Sequence, residues 1–188
     1  MSTLYYTASS LDGYIADSQH SLEWLMSLGD PEQSSYPEFI AGIGAMAMGA
    51  HTYEWLLRHL SAETSGEMQP WPYEQPCWVF TSRDLPRVSG ADLRFVRGDV
   101  RPVHRELVAA AGGRHVWIVG GGELAGQFYD RQLLDELIVQ VAPVTLGGGA
   151  ALFPRRVTSP PLRLTATNQL GRGFVELRYA IDSASAIG

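Results

Sequence analysis

The stretch that most restricts how this chain can fold is Val-Trp-Ile-Val-Gly-Gly-Gly-Glu-Leu at 116–124. Its four apolar residues, three of them β-branched, read as a buried strand. Gly120, Gly121 and Gly122 then remove every Cβ where the chain must turn, and Glu123 and Leu124 begin a helix at once. A strand that passes straight into a helix lays that helix back over its own sheet, and the next strand returns parallel to the first. The glycines also leave backbone N–H groups free at a helix start, where an anion such as a diphosphate can bind. They equally fit a tight turn and nothing more. They do not match the G-x-G-x-x-G dinucleotide fingerprint, because Ala125 stands where the third glycine belongs and Gly126 follows one position late.

The rest of the chain alternates in the same way. Strands are predicted at 4–9, 45–49, 78–81, 93–96, 115–119 and 136–142, and helices at 37–43, 51–60, 103–111 and 123–133. In the second helix Tyr53, Leu56, Leu57 and Leu60 fall at core-facing spacing. Asp12-Gly13 ends the first strand, and Gly112-Gly113 stops the third helix. Segments 163–168 and 174–181 flank Gly171-Arg172-Gly173 as a closing hairpin. A loop-like excursion covers 61–76, and residues 182–188 read as frayed. The expected fold is α/β: a single domain over 1–188, with a mostly parallel central sheet, helices on both faces and an antiparallel C-terminal hairpin. Such sheets bind ligands outside the carboxyl ends of their strands.

Composition narrows the chemistry. All 14 basic residues are arginine. Without lysine there is no Walker-type phosphate loop and no lysine Schiff base. A net charge of −6 suits neither nucleic acid nor an anionic membrane, so neither is expected as a partner. Cys77 is the single cysteine, and His20, His51, His59, His104 and His115 lack ligand spacing, so no metal site is expected. The first thirteen residues show no signal-peptide pattern, and the longest apolar-plus-glycine run, 40–50, falls short of the roughly 18 residues a membrane span needs. A cytoplasmic protein is expected. Arg97, Arg101 and Arg105 recur at helical spacing among Asp99 and Glu106, which reads as a solvated face.

Two further strand ends carry chemistry. Met-Gly-Ala-His-Thr-Tyr-Glu at 48–54 sets Gly49 at a strand end, then His51 and Thr52 at a helix start, where both side chains can bond phosphate oxygens or simply cap the helix. Thr81, Ser82 and Arg83 end another strand with two hydroxyls and a guanidinium, a phosphate clamp or an ordinary turn before Pro86. Gly147, Gly148 and Gly149 admit a close cofactor approach or a turn. Trp71-Pro72-Tyr73 suits a lid over a pocket or an oligomer contact.

These segments, with Ser-Leu-Asp-Gly-Tyr-Ile-Ala at 10–16, Leu-Asp-Glu-Leu at 134–137 through Pro143, Leu-Gly-Gly-Gly at 146–149 and Leu-Phe-Pro at 152–154, resemble the dihydrofolate reductase superfamily. The resemblance covers about 3–181 and is closest to the branch similar to the reductase domain of the bifunctional riboflavin-pathway deaminase/reductase. It implies an NADPH-dependent reductase, with NADH the alternative. By matching position, Ala8 and Ile15 would offer backbone groups to the nicotinamide carboxamide. Gly49, His51 and Thr52 would meet the diphosphate, as would Gly120, Gly121 and Gly122 with the helix start at Glu123 and Leu124. Thr81, Ser82 and Arg83 would face the adenosine ribose and its 2′-phosphate. The resemblance also implies a cis bond at Gly120-Gly121. Trp24, Gln140 and Phe153 fall near the substrate pocket by alignment, and Gln140, polar within an apolar strand, requires hydrogen-bonding partners if it faces inward.

Three positions depart from the pattern. Ala50 stands where folate reductases commonly carry a phosphate-holding arginine. Tyr6 stands where riboflavin-pathway reductases usually have a lysine, which argues against their ribityl phosphate substrate. The first-helix carboxylate has no match among Glu23, Asp30 and Glu38, so no catalytic acid is assigned. The expected activity is hydride transfer to a small pterin- or pyrimidine-like heterocycle. The alternatives are 5-amino-6-(5-phosphoribosylamino)uracil reduction and a non-catalytic nucleotide-binding protein of the same fold. Relatives of this branch often pair, and a homodimer is expected.

Overall fold

A computed structural model describes residues 1–28, 34–62 and 69–182. Asp30, the middle of the predicted 61–76 excursion and nearly all of the predicted frayed end lie outside the described residues. In chain order the elements are β1 (Thr3–Ser9), β2 (Tyr14–Ala16), α1 (Glu23–Met26), α2 (Tyr36–Ala41), β3 (Ile43–Gly49), α3 (Ala50–Ala62), β4 (Cys77–Phe80) and β5 (Leu93–Val96). There follow α4 (Val100–Ala111), β6 (His115–Gly120), α5 (Gly122–Asp130), β7 (Glu136–Val141), β8 (Ala150–Ala151), β9 (Arg163–Leu170) and β10 (Phe174–Ala180).

Among the described residues the main sheet runs β5-β4-β3-β6-β1-β7-β10-β9. The six strands from β5 to β7 are parallel, and β10 and β9 join antiparallel as the closing hairpin. β1 lies at the centre, with Tyr5 beside Ile118 on one neighbour and Leu137 on the other. Period-two alternation divides the apolar residues between two layers. Tyr5, Ala45, Ala47, Val116 and Ile118 pack against Leu107 of α4 and Phe128 of α5. Leu4, Tyr6, Met46, Met48 and Trp117 pack against Phe39 of α2 and Tyr53 of α3. Both faces of the parallel strands are therefore covered, which is why these strands read as continuous apolar runs.

The element ends have local causes. α4 begins at Val100, three residues before the prediction, because the Asp99 carboxylate accepts the Arg101 N–H at 2.8 Å and Pro102 is tolerated in a first turn. It ends at Gly112, whose φ of 58° is left-handed. α5 stops at Asp130 rather than 133, since Gln132 turns left-handed and the Leu133 N–H returns to the Phe128 carbonyl at 2.9 Å. α2 stops at Ala41, and Ile43 already belongs to β3. The two-stranded pairing of β2 with β8, Tyr14 with Ala151 and Ala16 with Ala150, joins segments far apart in sequence and has no local pattern. Trp71 and Tyr73 turn inward onto the α2–α3 layer, with ring centroids 5.8 Å from Tyr53 and 5.9 Å from Trp117 respectively.

Candidate functional site

The carboxyl ends of β1, β3 and β6 open into one cavity of about 500 Å³. β3 and β6 are neighbours, with Met48 opposite Gly120, and each passes into a helix almost without a loop. That places the starts of α3 and α5 side by side at the cavity wall. The N-cap of α5, Gly121, offers no side-chain bond to the first turn, so its N–H groups are free to meet a ligand. Gly49, His51 and Thr52 line the cavity from one junction, and Gly120, Gly121, Gly122, Glu123 and Leu124 line it from the other. Ala8 and Ile15 complete the wall from β1 and β2.

Gly122 is required by close approach, and Gly120 by its backbone angle. A Cβ on Gly122 would lie 2.3 Å from the Leu152 carbonyl oxygen, and one on Gly120, at φ 155°, would lie 3.3 Å from Thr52 Oγ1. The Gly120-Gly121 bond is cis. Gly149, at φ 131°, lets β8 reach β2: a Cβ there would fall 2.1 Å from the Ala16 carbonyl oxygen. The Asp12 carboxylate fastens the same corner, accepting from Ser10 Oγ at 2.6 Å and the Gly147 N–H at 2.7 Å. The Ser10 bond first, with the backbone donors, holds that carboxyl below its ordinary range.

Charge at the cavity is arranged in pairs. Glu123 accepts from both terminal guanidinium nitrogens of Arg155, at 2.8 and 2.9 Å, and its carboxyl is held below the usual range by that bond. Arg155 also binds Asp130 at 2.9 Å and crosses Gly126, where a Cβ would fall 2.5 Å from its Cζ. Thr81, Ser82 and Arg83 lie beyond the cavity wall, which ends at Phe80 on that side. Arg83 makes a two-pronged bond to Glu54 of α3, both contacts at 2.8 Å, while Thr81 Oγ1 accepts the Arg83 N–H at 2.9 Å. Among the described residues no arginine lines the cavity, and no group of metal-binding side chains occurs.

The three substrate-side positions go elsewhere. Phe153 packs in the α4–α5 layer against Tyr5 and Tyr129, with ring centroids at 6.5 and 5.5 Å. Trp24 packs against Ala142, Leu170 and Phe174, its indole N–H unpartnered. Gln140 is buried, and its amide donates to the Tyr6 hydroxyl at 2.6 Å and to Ser35 and Glu176, both at 3.3 Å. Glu176, fully enclosed, completes this cluster with Ser35 Oγ and with Arg178 Nε at 2.9 Å. Nothing local in the sequence marks Glu176 as buried. His20 and Trp55 also line the cavity, with no local sequence signal for it, and His20 arrives there only through the turn at 17–21.

The RibD C-terminal domain family matches residues 60–175. The chain belongs to that family. It is 32% identical to the uncharacterized protein YwjB of Bacillus subtilis (strain 168) over 94% of its length and 96% of that protein's. The structure of a putative riboflavin biosynthesis protein from Shewanella sp. PV-4 superposes with a TM-score of 0.76 at 24% identity, covering 97% of this chain and 100% of that one. Dihydrofolate reductase from Enterococcus faecalis, solved with NADP(H), superposes with a TM-score of 0.60 at 16% identity, covering 96% and 97%. This member of the RibD C-terminal domain family thus has the dihydrofolate reductase-like fold. No helix among its described residues is long and apolar enough to cross a membrane.

Proposed function

We propose that this protein is a nicotinamide-dinucleotide-dependent reductase acting on a small pterin- or pyrimidine-like heterocycle, with NADPH the first choice of cofactor and NADH the second. The supporting observation is the cavity itself: three strand ends and two helix starts share one wall, which Ala8 and Ile15 also line. The donor set suits a dinucleotide. Helix N–H groups and Thr52 present donors to a diphosphate without needing a lysine. The bound cofactor supplies a hydride, and the chain orients both reactants and excludes water. Arg83, one short turn past Phe80, supports a 2′-phosphate, because its exposed pair with Glu54 contributes roughly 0–1 kcal/mol and can be shared with an incoming anion.

Calorimetric titration with NADPH and NADH is expected to show binding of both, tighter for NADPH, with Arg83→Ala narrowing the difference. Dinucleotide oxidation is then followed across pterins and pyrimidines. Absence of binding by either cofactor would refute the reading. A non-catalytic nucleotide-binding protein is the second reading, favoured by the state of Glu123: it is the carboxylate on the cavity wall among the described residues, and Arg155 occupies both of its oxygens. The riboflavin-pathway uracil substrate is less well supported. Tyr6, where a lysine would serve it, is buried and stacked on Phe39 at 4.1 Å. Action in the cytoplasm and pairing as a homodimer belong to the same proposal, the latter supported by β9, an edge strand that leaves Leu164 51% exposed.

A further inference from the structure

Gly126, the glycine that arrives one position late for the dinucleotide fingerprint, stands in the middle of α5, where glycine weakens a helix relative to alanine. Its neighbour supplies the reason. A Cβ there would fall 2.5 Å from Cζ of Arg155 and 2.8 Å from its Nε and Nη1, so the guanidinium crosses the helix where a side chain would otherwise stand. The Arg155 side chain is only 19% exposed, and each of its nitrogens is committed. Nε donates to both Asp130 oxygens, at 3.0 and 2.9 Å. Nη1 donates to Glu123 Oε2 and the Pro154 carbonyl, both at 2.8 Å, and Nη2 donates to Glu123 Oε1 at 2.9 Å. Glu123 lies in the first turn of α5 and Asp130 is its last residue, about 10 Å further along the axis. A carboxylate at that end faces the negative pole of the helix, a disfavoured place that the bond to Arg155 offsets. Arg155 therefore ties the two ends of α5 together.

Glu123 is the one carboxylate on the cavity wall among the described residues. In the first turn of a helix such a group is itself attracted to the positive end and repels any other anion that approaches it. Alone, it would work against a dinucleotide. Arg155 engages both of its oxygens and balances its charge from behind the wall, without lining the cavity. We propose that Arg155 is a positioning residue for the cofactor, which holds Glu123 aside and neutralised so that the cavity wall accepts an anionic dinucleotide. The proposal rests on the dinucleotide reading above. The three charges of Glu123, Arg155 and Asp130 leave one negative charge in excess, and it falls at Asp130, the end of α5 remote from the cavity. The same arginine also shapes the wall. Its bond to the Pro154 carbonyl, with the Tyr5 hydroxyl donating to the Leu152 carbonyl at 3.1 Å, seats the segment whose Ala150, Ala151 and Pro154 line the cavity.

The test is calorimetric binding of NAD+ and NADP+, at low and high salt, to the wild type, Arg155→Gln, Glu123→Gln and the double variant. Arg155→Gln leaves an unpaired carboxylate on the wall and is expected to weaken both nucleotides about tenfold at low salt, the scale of one poorly screened charge a few ångströms away. Glu123→Gln leaves the arginine's charge unbalanced beside the wall and is expected to tighten both about threefold. The double variant is expected to return to within about twofold of the wild type, since one charge of each sign is then removed. Its melting temperature should nevertheless stay as low as that of Arg155→Gln, because the tie across α5 is lost in both. High salt should shrink all of the affinity differences. A purely structural role would instead carry affinity down with melting temperature in both Arg155 variants. Arg114→Gln removes an exposed arginine at the far end of β6, about 20 Å from the cavity, and should bind as the wild type does. A double variant as weak as Arg155→Gln overturns the proposal. So does a Glu123→Gln protein that binds no tighter than the wild type, a measurement that stands even if Arg155→Gln fails to fold. Either result leaves the reductase reading in place. Absence of binding by the wild type to either nucleotide removes the dinucleotide reading and this role with it.

Discussion

Glu176 shows how much a single buried residue depends on its neighbours. An enclosed carboxylate costs several kcal/mol in lost hydration unless its oxygens are satisfied. Burial alone would push its pKa up, but Ser35, Arg178 and Gln140 together outweigh that and hold it below the ordinary glutamate value. The Tyr6 hydroxyl in the same cluster is pushed up to about 12, chiefly by burial, so it remains a neutral donor and acceptor. A depressed carboxyl contributes stability that is present above its unfolded pKa and lost as the pH falls through the folded one. Glu176→Ala should therefore cost about 3 kcal/mol in urea unfolding at pH 7, by stranding Ser35, Gln140 and part of the Arg178 charge. The gap from wild type should narrow as the pH falls below about 4. A gap that stays constant with pH would show that the cluster stabilises by packing and not by charge. Gln140 was legible in advance as a polar residue needing partners. Their identity was not, since Tyr6, Ser35 and Glu176 come from three distant segments.

At the scale of elements, the two strand-to-helix junctions were readable because glycine, threonine and helix-starting residues act within a few positions of one another. The close seating of α4 on β3 was not. A Cβ on Gly44 would lie 2.2 Å from the Ala111 carbonyl oxygen, an atom of the helix backbone that cannot swing aside. Gly44→Ala should accordingly cost about 2–3 kcal/mol through overpacking, read as a lower urea midpoint with an unchanged slope. A cost under about 0.5 kcal/mol would mean that α4 slides on the sheet. The predicted extension of the helix after β6 to 133 failed for a related reason. Leu133 is partly buried in the α4–α5 layer, so its apolar character continued the helical pattern past the turn at Gln132. The pairing of β2 with β8 has no signature in the sequence, because strands of three and two residues carry too little periodicity.

For the whole molecule, a parallel sheet with helices on both faces followed from alternating buried strands and amphipathic helices, since no other layering buries both faces of such strands. The strand order and the central place of β1 arise from long-range pairings. Assembly belongs to this scale too. Sedimentation analysis should find a dimer at micromolar concentration, and Leu164→Glu, on the edge strand β9, should shift it toward monomer while leaving the melting temperature within a few degrees. A monomer at all concentrations would remove the pairing proposal and would not touch the cofactor cavity.

By itself the sequence determined the fold class, the two glycine-bearing junctions and the exclusion of lysine chemistry, because each depends on residues adjacent in the chain or on composition alone. Tertiary structure decided which side chains the cavity receives. Gly49–Thr52 and Gly120–Leu124 meet there because β3 and β6 pair. Arg83 instead turns to Glu54, Phe153 lies in the α4–α5 layer, and His20 arrives from a turn with no recognisable pattern. Side-chain destinations of this kind depend on contacts between segments dozens of residues apart, which local periodicity does not encode.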